Sequence, residues 1–115
     1  MNKIKLVVNN ENKRNEKEIF FIKKELQSIL NLYAKMVSNG SWKDYSFTSS
    51  IKEVSFDVYQ RASEKPVLRI LKNLKPRYFN EKYLIKDING IVLNKSESLN
   101  HLIDKTSWNK LRLVK

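Results

Sequence analysis

Apolar residues recur along this chain with two different periods, and the change from one to the other falls at Gly40. Between Phe21 and Asn39 they stand at Ile22, Leu26, Ile29, Leu30, Tyr33, Met36 and Val37, at spacings of three and four. That spacing puts them on one stripe of a helix and predicts that the stripe is core. Lys23, Lys24, Gln27, Asn31 and Lys35 fall outside it. Asn39 and Gly40 end the element, because both tolerate the left-handed backbone that closes helices.

Beyond Gly40 the period drops to two. An alternating segment begins at Tyr45-Ser46-Phe47-Thr48, and Val54 to Arg61 reads as a strand with Val54, Phe56 and Val58 on one face. Ala62 to Pro66 suits a hairpin loop, after which Val67 to Leu74 pairs back. Lys75-Pro76-Arg77 ends that strand. Tyr83-Leu84-Ile85 and Ile91-Val92-Leu93 form a second hairpin, for which Asn89-Gly90 favours a tight turn. Ser96 suits a helix N-cap, with Glu97 in the first turn and Leu99, Leu102 and Ile103 at helical spacing. Trp108, Leu111, Leu113 and Val114 carry enough apolar area to tie the C-terminus down.

The fold class expected is α+β: a long N-terminal helix packed on an antiparallel meander of four to five strands, with a short C-terminal helix. Residues 1–18 have a short apolar stretch, Ile4 to Val8, and then only polar and charged residues, which suggests a mostly flexible tail. Residues 19–115 are then one domain, the size that a chain of 115 residues predicts. No window is apolar enough for a membrane span or a signal peptide, so the expected location is cytoplasmic, with no membrane partner.

Composition narrows the chemistry. Cysteine is absent, which removes thiol nucleophiles, thiolate metal sites and disulfides. The single His101 has no second imidazole for a metal site, and two glycines cannot build a phosphate loop. Neither metal nor cofactor is expected. Asp44 and Asp57 offer no acid/base pair with a neighbouring nucleophile, and no serine has a candidate base other than His101. The expectation is a protein that is not an enzyme. Trp42, at the corner between helix and first strand, is expected to plug the end of the core.

The net charge is +11, with its densest basic run from Lys65 to Lys86. One reading is a polyanionic partner such as nucleic acid; the other is codon bias, because Lys far outnumbers Arg and Asn and Ile are abundant. Around the central hairpin Tyr59 and Arg61 share a strand face roughly opposite Arg69 and Val67, and Lys75 and Arg77 extend the charge. Tyr59, Arg61, Arg69, Lys75 and Arg77 are therefore the candidate surface for nucleic acid or another anionic ligand. The competing arrangement pairs Arg61 and Arg69 with Asp44, Asp57 and Glu64. The functional expectation is a non-catalytic interaction module that binds nucleic acid; the alternative is an adaptor for an unidentified protein, or a structural subunit.

Several ordered segments carry a family resemblance. Leu30 to Val37 followed by Gly40-Ser41-Trp42-Lys43-Asp44-Tyr45, then Arg61-Ala62-Ser63-Glu64-Lys65-Pro66 and Arg69-Ile70-Leu71-Lys72, closely resemble the domain of unknown function 2794 family. Gly90 with Val92-Leu93, Leu99, and the ending Lys110 to Val114 are similar as well. The resemblance spans roughly Phe21 to Val114 and implies a compact bacterial protein; it implies no activity. The chain departs from the family pattern at Ile22, where an Asp would cap the helix, and in being Lys-rich where the family is Arg-rich.

Overall fold

The computed structural model describes residues 19–61 and 65–108. The tail expected at 1–18, the Ala62–Glu64 part of the hairpin loop and the C-terminal Leu111, Leu113 and Val114 lie outside the described residues.

The helix α1 runs from Lys23 to Ser38. At 16 residues it is short, not the long helix the pattern predicts. It closes at Gly40 (φ 85°), where Gly40 N–H donates to the Val37 carbonyl (3.0 Å) and Ser41 N–H to that of Met36 (2.9 Å). These are the paired bonds of a left-handed helix stop. Its start is built without a capping hydroxyl or carboxylate at Ile22. Instead Glu25, one turn in, reaches back and accepts the Ile22 N–H at 2.8 Å, the reciprocal half of a capping box.

The buried side of α1 is rotated from the predicted stripe. Leu26, Ile29, Leu32 and Met36 are buried, and Leu30 and Val37 lie exposed. Leu32, absent from the predicted stripe, takes their place. Glu25, also buried, lies on this same side, where it meets Lys72 and Tyr83.

Five strands follow: β1 (Asp44–Ser49), β2 (Glu53–Tyr59), β3 (Leu68–Asn73), β4 (Tyr83–Asp87) and β5 (Val92–Ser96). They form one sheet in chain order, each antiparallel to the next, the five-stranded form of the expected meander. The register sets Phe56 against Ile70 and Ile70 against Ile85, which lays a continuous apolar row across the centre. Val54, Phe56, Val58, Leu68, Ile70 and Ile85 share that face and join Leu26, Ile29, Leu32 and Met36 in one core. Aromatic rings close one margin: Tyr33 stacks on Tyr45 at 4.8 Å and meets Phe56 edge-on at 5.9 Å.

The β4–β5 turn differs from the tightest form that Asn89-Gly90 allows. Of the Asn89-Gly90 pair only Gly90 has positive φ (82°), so a turn needing left-handed geometry at both residues is not made. Asp87 organises it instead, accepting N–H groups of Asn89 and Ile91 at 2.9 Å each, and β5 pairs with a register shift beyond Ile85. The second helix α2 (Leu99–Lys105) is capped by Ser98, whose Oγ accepts the His101 N–H at 3.3 Å. Ser96, the residue the sequence suggests, ends β5 and is buried. Trp42 is buried and meets the Trp108 ring edge-on at 5.9 Å, and Trp108 Nε1 donates to the Ile103 carbonyl.

Candidate functional site

Strand alternation puts Ser55, Asp57 and Tyr59 of β2 on the face away from α1, together with Ser46 and Thr48 of β1 and Arg69 of β3. The register places Arg69 directly opposite Asp57. Arg69 Nε donates to Asp57 Oδ1 at 2.9 Å, and its Nη2 donates to Ser55 Oγ at 3.0 Å. Asp57 also accepts the hydroxyls of Ser55 and Thr48, each at 2.8 Å. With Asp57 only 3% exposed, this is a satisfied polar network. The Tyr59 hydroxyl is bonded to Ser46 Oγ at 3.1 Å. Arg61 lies exposed just past the end of β2.

Lys75 and Arg77 are exposed too, but they follow the other end of β3. The length of that strand, roughly 20 Å for six residues, separates them from Tyr59 and Arg61. Thus four of the five residues named from the sequence form two groups at opposite ends of the sheet, Tyr59 with Arg61 and Lys75 with Arg77. Arg69 lies between them, held by Asp57.

At the Lys75 end the chain makes a feature that the sequence reading missed. After Lys75-Pro76-Arg77 come Tyr78 and Phe79, which are 59% and 81% exposed. A 3-10 turn, Phe79–Glu81, holds this connection against the sheet, with Asn73 Nδ2 donating to the Glu81 carbonyl at 2.6 Å. Beside Phe79 opens a cleft of about 610 Å³ lined by Lys72, Asn73, Leu74, Pro76, Phe79, Lys82, Glu97 and Ser98. A neighbouring groove of about 890 Å³ follows β5 and includes Lys86, Lys95, His101 and Lys105.

Lys72 lies between this cleft and the core. Its position on β3 faces α1, and it is 1% exposed. Its Nζ donates to Glu25 Oε1 at 2.8 Å and to the Phe20 carbonyl at 3.0 Å, and the Tyr83 hydroxyl donates to Glu25 Oε2. The helix start and the sheet are therefore joined through one buried carboxylate.

Elsewhere burial, with the Asp44 carboxylate and Tyr45 adding to it, raises the Tyr33 phenol above its ordinary value. His101 is exposed on α2, and no group of three or more His, Asp or Glu placed to hold a metal occurs among the described residues. No helix among the described residues is long and apolar enough to cross a membrane.

Fold and surface together define a small α+β domain, two helices on a five-stranded antiparallel meander, with a basic and aromatic connection at one end of the sheet. The family described as a protein of unknown function (DUF2794) matches residues 19–103, and the chain belongs to it. No curated protein and no solved structure matches the chain.

Proposed function

We propose that this domain is a non-catalytic binding module that takes single-stranded nucleic acid across the β3–β4 connection. The observation that supports this reading is the exposure of Tyr78 and Phe79 within a run of cations, Lys75, Arg77 and Lys82. Leaving a phenylalanine in water forgoes about 1.5–3 kcal/mol of burial. A base laid on such a ring recovers about 1–3 kcal/mol, while the neighbouring cations meet phosphates. The net charge of +11 adds long-range attraction for the same class of partner.

The test is the affinity of the whole chain for a labelled oligothymidine of about ten nucleotides, followed by fluorescence anisotropy. Phe79→Ala should weaken binding by about tenfold, the size of one lost stack. Lys23→Ala, an exposed charge on α1, is the control for diffuse attraction. Equal losses in both variants would overturn the reading.

A second reading, a protein adaptor, is favoured by a different surface. Ile88, Ile91, Val92 and Leu93 are each exposed around the β4–β5 turn, and exposed apolar residues clustered in one segment are a feature of protein contacts. An adaptor working through that turn would retain its partner in the Phe79→Ala variant and lose it in Ile91→Ser.

A further inference from the structure

The cleft beside Phe79 has a more selective chemistry than stacking alone requires, and the inference drawn from it rests on the reading above. Leu74, Pro76 and Phe79 give the cleft apolar and aromatic surface; Lys82, Glu97 and Ser98 give it polar groups. Glu97 is the unexpected member. It is exposed, it also borders the groove along β5, and among the described residues no hydrogen bond or ion pair engages its carboxylate. A negative charge in a phosphate-binding cleft of a basic protein weakens binding unless it has something else to recognise.

Unpaired bases are read on their Watson–Crick edges. Guanine presents two parallel donors there, N1–H and N2–H, which match the two oxygens of one carboxylate. Thymine and uracil present one donor between two carbonyls. Adenine and cytosine present one donor beside a bare ring nitrogen, and that lone pair would face the second carboxylate oxygen. Ser98 adds the complement for the remaining guanine atom: its Oγ accepts the His101 N–H, which leaves the hydroxyl proton to donate to O6.

From these donors and acceptors we propose that the cleft receives one unpaired guanine, stacked on Phe79 and read by Glu97, with Lys82 serving a flanking phosphate. Glu97 is then the specificity-determining residue of the surface.

The experiment uses the full chain and labelled oligothymidine, alone or with one central guanosine, inosine, adenosine or cytidine. The guanosine strand should bind about tenfold tighter than oligothymidine, as one bidentate pair provides. Inosine, which lacks the N2 amine, should fall between them. Glu97→Gln should abolish the guanosine advantage and leave oligothymidine bound at least as well, because the substitution removes a charge that repels phosphate. Its unchanged thermal melt would establish that the fold is intact. If the wild-type chain binds all strands equally, the guanine site is wrong while the nucleic-acid surface stands. If no strand binds, the surface itself is refuted and the guanine site with it.

Discussion

Besides accepting the Tyr83 hydroxyl, Glu25 caps a helix and pairs with a buried cation, and substituting it should separate these two. Its Oε1 accepts the Ile22 N–H that would otherwise be an open donor at the start of α1, and the same carboxylate faces the buried ammonium of Lys72 at 2.8 Å. Removing a cap costs about 1 kcal/mol. Taking one partner from a buried ion pair costs about 3–5 kcal/mol, and the lower end applies here because the Phe20 carbonyl still meets Lys72 at 3.0 Å. Glu25→Ala should therefore lose about 4 kcal/mol, a large fraction of the roughly 5–15 kcal/mol that holds an ordinary domain together. Glu25→Gln keeps an oxygen for the Ile22 N–H and should lose about 1 kcal/mol less. Replacing both members of the pair, Glu25→Leu with Lys72→Met, should cost less than the sum of the two single changes, since no unpaired charge is left buried, although the Ile22 N–H and the Tyr83 hydroxyl still lose their acceptor. Urea unfolding followed by the fluorescence of Trp42 and Trp108 measures all of these. A Glu25→Ala loss under about 1 kcal/mol, below even the cap's share, would refute the reasoning; so would a double variant as unstable as the sum of its parts.

Two other outcomes follow from the core. Ile29, fully buried under the sheet, should cost about 2–5 kcal/mol when cut to Ala in the same urea assay, and a near-zero loss would place the helix stripe outside the core. The raised Tyr33 phenol keeps its proton in the folded state after unfolded chains have lost theirs, so stability should fall as pH rises from about 10 through the raised value. Tyr33→Phe should remove that part of the decline, and urea midpoints that fall in parallel for both proteins would contradict it.

What the sequence made legible was the part in which local pattern and global packing agree. Val54, Phe56 and Val58 alternate because one face of β2 meets the helix, and the same alternation locates the hairpins around it. The buried side of the helix was less legible, because it includes Glu25. A carboxylate reads as solvent-facing in a pattern of apolar positions, and its partner Lys72 is 47 residues away. Lys72 itself continues the inward series of Leu68 and Ile70, yet its charge argues for the opposite face. For the candidate surface, strand parity alone put Tyr59 and Arg69 on one face. That Asp57 holds Arg69 depends on register, and that β3 separates Lys75 and Arg77 from Arg61 depends on strand length. Tyr78 and Phe79 gave no local signal, since an aromatic pair after Pro-Arg reads equally well as core.

The central claim is that the β3–β4 connection, rather than diffuse charge, binds single-stranded nucleic acid. The most direct test is the salt dependence of oligothymidine affinity for the wild type, Arg77→Ala and Phe79→Ala. Losing one phosphate contact should make the log-log slope for Arg77→Ala shallower by about 0.7. Phe79→Ala should weaken binding at every salt concentration and keep the wild-type slope, because stacking releases no counterions. Identical slopes and affinities for all three proteins would contradict the claim.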